Sequence, residues 1–129
     1  MKLPLKRIAF IVNNQAFFVS HRLPLAMRAL QEGCEVRLFT GQPGSALMEA
    51  FADKSLREAG IIHKKVSFRS AGINPLEEIF GLTQLIWGIF RYRPDIIHCA
   101  SPKGILYGGL AARFSGSKGL VLAVSGMGY

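Results

Sequence analysis

Carboxylates are scarce in this chain and cysteines scarcer. Eight Asp and Glu stand against sixteen Lys and Arg, a net charge of +8. Asp95 and the pair Glu77-Glu78 have no placed partners, so neither a paired-carboxylate nor a Ser-His-Asp arrangement can be assembled. Two cysteines, Cys34 and Cys99, exclude a disulfide framework and a cysteine-based metal site. Each falls at or inside an expected strand as an ordinary buried thiol, a usage that fits the cytosol. No apolar run reaches the roughly 18–20 residues that span a bilayer. The longest, Ile79–Phe90, is interrupted by Gly81, Thr83, Gln84 and Gly88. No secretory leader is expected, because Ile8–Val12 is short and no small-residue cleavage site follows it. Internal repeats, low-complexity tracts and linkers are also missing.

The excess of positive charge attracts anions: nucleic acid, acidic lipid headgroups or phosphorylated substrates. The basic residues are scattered from Lys2, Lys6 and Arg7 to Arg91 and Arg93. There is no arginine-rich helix, zinc finger or aromatic RNA-binding motif, so nucleic acid is not an expected partner. A membrane surface with anionic lipid suits the charge as well or better.

What is present is apolar substance. Half of the 129 residues are hydrophobic, and mean hydropathy is +0.27. Such a chain makes one domain with a real core, and disorder is excluded. Arg7–Val12 reads as a central parallel strand buried on both faces. Asn13–Val19 reads as a loop, and Ser20 as the N-cap of a helix through Gln31, with Pro24 tolerated in its first turn and Gly33 stopping it. Cys34–Thr40 is the second strand, and Gly41–Gly44 a turn. Ser45 caps a helix to about Ala59, ended by Gly60, and His63–Phe68 is the third strand. After the loop Ser70–Pro75 a long helix runs to about Tyr92, where Pro94 breaks it. Ile96–Cys99, the helix Pro102–Phe114 and the strand Leu120–Val124 complete the alternation.

That alternation predicts an α/β fold: a Rossmann-like, doubly wound parallel sheet of about five strands in the order 3-2-1-4-5. Strands one and four become neighbours whose following helices lie on opposite faces. Ligands bind at such a switch point, beyond the carboxyl ends of the strands. The loops Asn13–Ser20, Ala100–Gly104 and Ser125–Gly128 converge there.

The motifs at that edge are polar rather than nucleotide-specific. The first loop has Asn13-Asn14-Gln15 where a dinucleotide domain carries glycines, and the second strand ends in Thr40-Gly41 without a ribose-gripping carboxylate. A nicotinamide dehydrogenase is disfavoured. The amides can serve a sugar or phosphate, or their own backbone. Ser20-His21-Arg22 opens the expected first helix, where free N–H groups and the cation of Arg22 favour an anion. Ser101-Pro102-Lys103-Gly104 opens another helix at the same crevice, without the spacing of a phosphate-binding Walker loop. His98 reads as a core residue of strand four. The apolar residues of Leu76–Phe90 wrap further than a surface helix needs. Most are assigned to the core, and a minority such as Trp87, beside Arg91 and Arg93, to an interfacial contact.

Four segments together carry a resemblance: Phe18-Val-Ser-His-Arg-Leu-Pro-Leu-Ala26, Phe68-Arg-Ser-Ala-Gly-Ile-Asn-Pro75, Arg93-Pro-Asp-Ile-Ile-His-Cys-Ala-Ser-Pro-Lys103 and Ser125-Gly-Met-Gly-Tyr129. In order and spacing they resemble the N-terminal domain of family 4 glycosyltransferases of the two-domain GT-B type, found in capsule, O-antigen and other bacterial glycan assembly. The resemblance spans nearly the whole chain. It implies that residues 1–129 are the acceptor-side Rossmann-like domain, incomplete, with the donor-binding C-terminal domain absent. It implies transfer of a sugar from a nucleotide-sugar to a polyprenyl-diphosphate-linked or growing polysaccharide acceptor at the inner face of the cytoplasmic membrane. No metal and no further cofactor are implied. Asn14, Ser20, His21, Arg22, Ser101, Lys103, Gly104, Ser125 and Gly126 would line this half of the cleft. Where many members have His-Gly after strand five, this chain has Ser125-Gly126, so no catalytic histidine is carried over. Two other readings stay open: a subunit of a split two-chain transferase, and a stand-alone nucleotide-binding or interaction domain.

Overall fold

A short apolar run sets the centre of the molecule. In the strand β1 (Arg7–Val12), Ala9, Phe10, Ile11 and Val12 are all buried. Alternate side chains of a strand point to opposite faces. Accordingly Ala9 and Ile11 enter one hydrophobic cluster and Phe10 and Val12 the other. β1 pairs in parallel with β2 (Glu35–Gln42) on one side and β4 (Ile96–Ala100) on the other. β3 (Ile62–Arg69) extends the sheet beyond β2, and β5 (Gly119–Ala123) extends it beyond β4. The order is β3-β2-β1-β4-β5, as the alternation predicts. The computed structural model describes residues 6–13, 15–42, 46–69, 74–100, 102–115 and 119–123.

Helices cover both faces. On one lie α1 (Gln15–His21), α2 (Leu23–Gln31) and α3 (Ala46–Ala59), with Phe18, Ala26 and Leu56 packed against Phe10, Val36 and Leu38. On the other lie α4 (Pro75–Tyr92) and α5 (Pro102–Ser115), with Leu85, Ile89 and Ala111 against Ile11, Phe39, Ile97 and Cys99. Two helical glycines let this layer sit close to the sheet. A Cβ at Gly88 would come within 2.8 Å of the Phe39 ring, and one at Gly108 would overlap the Cys99 sulfur.

The segment expected as a loop after β1 is helical. α1 occupies Gln15–His21, so Ser20 is an interior residue and not an N-cap. Burial drives the difference: Phe18 is fully buried and meets Phe10 edge-on at 5.3 Å between ring centroids. The helix breaks at Arg22 because Pro24 has no N–H for the Ser20 carbonyl and its ring would collide with it. Arg22 takes φ −124°, ψ −10°, its N–H bonds the Phe18 carbonyl at 2.7 Å, and α2 starts at Leu23.

Smaller differences fall at element ends. β2 continues through Gly41 and Gln42, because β3 runs to Arg69 and the pairing resumes, after an irregularity, at Gln42↔Arg69. α4 starts at Pro75, capped by Asn74, whose side chain accepts from Leu76 N–H at 3.2 Å and Glu77 N–H at 3.4 Å. It ends at Arg93 in the left-handed region, φ 53°, one residue before Pro94. Ser45 and Val124, expected as a cap and a strand end, lie outside the described residues.

Candidate functional site

At the carboxyl edge of the sheet, Asn13 joins three elements. Its backbone carbonyl accepts the N–H of Gly41 at 2.9 Å, and its side-chain Oδ1 accepts the N–H of Gly104 at 3.1 Å. The ends of β1, of β2 and the first turn of α5 are thereby fixed together. Gly104 is buried there, and a Cβ on it would lie 2.7 Å from the Ile11 carbonyl oxygen and 3.1 Å from Val12 Cα. One amide of the α5 start therefore serves a protein acceptor, and Gly104 permits close approach of helix to strand. Lys103 stands in the first turn of α5 beside it. Asn14, Ser101, Ser125 and Gly126 lie outside the described residues.

The three consecutive residues Ser20, His21 and Arg22 do not share one environment. Ser20 is exposed on α1. His21 folds back on its own helix, its ring stacked on Phe17 at 4.4 Å and its Nδ1 3.2 Å from the Phe17 carbonyl. Arg22 sits at the joint between α1 and α2, where no side chain caps α2. Its Nη1 donates to the His21 carbonyl at 3.3 Å, while its Nε is buried without a hydrogen-bond partner among the described residues. A buried guanidinium N–H left without an acceptor is costly, so this position is suited to receive one.

His98 is the residue that sequence reasoning left in the core. It alternates with Ile97 and Cys99 and so faces the α1–α2 side, with its ring 5.0 Å from Phe10. Its Nε2 is buried and without a hydrogen-bond partner among the described residues. Burial pushes its pKa below the ordinary 6.5, and the Arg22 cation pushes the same way. The charge of Arg22 thus acts on the imidazole of His98 from the α1–α2 side of β4. The available signal was the strand alternation, which puts His98 on the face of the helix carrying Arg22.

A second polar contact lies on the same face of β2 and β3. Thr40, fully buried, shares a 2.7 Å hydrogen bond between Oγ1 and His63 Nε2. Burial lowers the pKa of His63, partly offset by Asp53. At the opposite, amino edge of the sheet, Arg7 bonds the Tyr92 carbonyl at 3.0 Å and pairs with Glu35 at 3.6 Å. Arg37 lies over the Tyr92 ring at 4.3 Å. These two cations hold the sheet's amino edge and stand away from the crevice. Among the described residues no cluster of three or more His, Cys, Asp or Glu could hold a metal ion.

Comparison with known proteins follows the same outline. A family model described as glycosyl transferase 4-like matches residues 7–129. No curated protein matches the chain. Among solved structures, MurG of Acinetobacter baumannii is similar at a TM-score of 0.68 with 17% identity, over 92% of this chain and 34% of that one. CalG4, the calicheamicin glycosyltransferase, is similar at 0.69 with 14% identity, over 98% of this chain and 34% of that one. A glycosyltransferase from Rickettsia africae ESF-5 is similar at 0.66 with 16% identity, over 93% and 30%. At such identities the likeness is one of fold, and the chain spans about a third of the length of these structures.

Proposed function

We propose, for a chain that belongs to the glycosyl transferase 4-like family, that it is the acceptor-side domain of a two-domain sugar transferase. The reaction moves a sugar from a nucleotide-sugar to an acceptor carried on polyprenyl diphosphate, or to a growing polysaccharide, in bacterial surface-glycan assembly at the inner face of the cytoplasmic membrane. The observation that carries the acceptor reading is Arg22, a cation at a helix joint whose buried Nε has no partner among the described residues and whose charge acts on His98. Such a pair suits an anionic or hydroxyl-bearing ligand: the guanidinium donates to a phosphate or sugar oxygen, and the imidazole adds one donor or acceptor. Lys103 adds a second basic residue to the sequence, in the first turn of α5.

The donor's diphosphate and most of the charge that develops on it would be handled by a second domain, so this domain alone binds and does not transfer. That second domain comes from the same polypeptide or from a partner chain. The test is acceptor binding by Arg22→Ala and Lys103→Ala variants whose fold is checked by circular dichroism. Each variant is expected to lose roughly tenfold or more in affinity for a polyprenyl-diphosphate sugar in detergent micelles. Unchanged binding removes these residues from the site.

A further inference from the structure

We propose that His63, on β3, is a positioning residue for the switch-point crevice: through Thr40 it sets where the end of β2, the tip of β1 and the start of α5 stand, and the joint loosens when the imidazole takes a proton. Its bearing on the acceptor rests on the acceptor-side reading, but the contacts that point to it do not.

The sheet's own pairing is interrupted where this tie occurs. β2 and β3 pair in register up to Thr40↔Lys65 and meet again at Gln42↔Arg69, so β3 advances four residues while β2 advances two. Such an irregularity disrupts the ladder locally. Beside it, a side-chain bond holds the end of β2 to β3: Thr40 Oγ1 and His63 Nε2 stand 2.7 Å apart. Thr40 is fully buried, which shields the bond from bulk water. From Thr40 the contacts continue across the sheet. The next residue, Gly41, donates its N–H to the Asn13 carbonyl at 2.9 Å, and Asn13 Oδ1 accepts the Gly104 N–H at 3.1 Å. Short steps of backbone and these hydrogen bonds join β3, β2, β1 and α5 at the carboxyl edge. Gly104 lies too close to Ile11 and Val12 for a Cβ, so the start of α5 follows any shift of β1.

The end of this chain of contacts on β3 can titrate. A neutral imidazole accepts from the Thr40 hydroxyl or donates to it, whereas an imidazolium can only donate. The surroundings favour the neutral ring. Burial disfavours its charged form, and Asp53 of α3 offsets that in part. Lys54, Arg57 and Glu58 of α3 are exposed. On β2 the same face of the sheet carries Val36, Leu38 and Thr40, none of them charged. Lys65 follows His63 on that face of β3 and is exposed. α1 brings His21, held on Phe17, and α2 brings Arg28 and Glu32, paired with each other at 2.9 Å. The folded value of His63 lies below the ordinary 6.5. The joint is therefore whole above about pH 6.5 and loosens as pH falls through the lower, folded value.

Amide hydrogen exchange on the full chain reads the joint directly. The amides of Gly41 and Gly104 report on it, and those of Glu35 and Asp95, bonded to carbonyls at the amino edge, are the reference. Thr40→Val keeps the shape of the side chain and removes the hydroxyl. It is expected to lower protection at Gly41 and Gly104 roughly fivefold or more relative to the reference pair. Thr40→Ser restores the hydroxyl and should restore protection. In the wild type the same relative loss should appear as pH falls from about 7.5 to about 5, and His63→Gln should abolish that dependence. A change shared equally by all four amides, or none, overturns the proposal. The acceptor arm uses a polyprenyl-diphosphate sugar in detergent micelles, which Thr40→Val should bind roughly fivefold more weakly and Thr40→Ser as the wild type does. Equal binding by Thr40→Val and the wild type overturns the positioning role. No binding by the wild type, with the exchange pattern as expected, defeats the acceptor reading and the role for the acceptor while leaving the joint itself established. Binding without the exchange pattern defeats the proposal and leaves the acceptor reading standing.

Discussion

The side-chain oxygen of Asn13 accepts the backbone N–H of Gly104 at 3.1 Å across 91 residues of sequence. The bond ties the end of the central strand to the start of α5 at the switch point, where the sheet order places a ligand. It also accounts for an amide that a helix start would otherwise leave open.

The joint should therefore be measurable in stability. Asn13→Ala is expected to cost about 1 kcal/mol by leaving the Gly104 amide without its acceptor. Gly104→Ala is expected to cost about 1–3 kcal/mol, because its Cβ meets the backbone of Ile11 and Val12, which cannot give way as a flexible side chain would. Urea denaturation midpoints of the two variants check both values.

Acid should weaken the fold through two histidines. His63 and His98 both have pKa values held below the ordinary 6.5, first of all by burial. The unfolded chain then binds more protons than the folded one just below that value. The stability they contribute is present in full above about pH 6.5 and is lost as pH falls through the window between the unfolded and folded values. Unfolding free energies measured from about pH 8 to about pH 5 should show this decline. The double variant His63→Gln, His98→Gln should flatten it, since neither replacement titrates there.

Thiol reactivity should separate the two cysteines. Cys99 is buried beneath α5, and burial pushes its thiol up to about 12. Cys34 is partly exposed at the end of α2. A thiol reagent at neutral pH is expected to label Cys34 in the native protein and Cys99 only after unfolding, because the thiolate is the reactive form. Peptide mapping by mass spectrometry distinguishes the sites.

Much of the sheet was legible because its signals are local. Arg7–Val12 is apolar without alternation, and Gly33 and Gly60 stop their helices at φ 90° and 78°, where a side chain would be strained. Pro24 falls at the second position of α2, a short-range rule at work, whereas the cap at Asn74 lies inside the loop expected through Pro75. α1 was not legible, because Asn13-Asn14-Gln15 has turn chemistry and the helix is fixed by Phe18 meeting Phe10 across the chain. The joint at Arg22 follows from that same tertiary contact together with Pro24. Asn13 bonding Gly104, and Arg22 acting on His98, depend on sheet order and helix placement at once. No spacing in the sequence encodes either. The exposed stripe of α4 was half legible: the surplus of apolar residues could be counted, but which side the core takes was decided by Leu85 and Ile89 in the core and by Gly88 close against Phe39 of the sheet.

The most direct test of the acceptor-side reading compares two ligands on the full chain. A polyprenyl-diphosphate sugar in detergent micelles and a free nucleotide-sugar are titrated in parallel by calorimetry. The account predicts that the lipid-linked sugar binds and that the nucleotide-sugar does not bind measurably. Tight binding of the nucleotide-sugar, with no binding of the lipid-linked sugar, would contradict it and make the chain a nucleotide-binding domain.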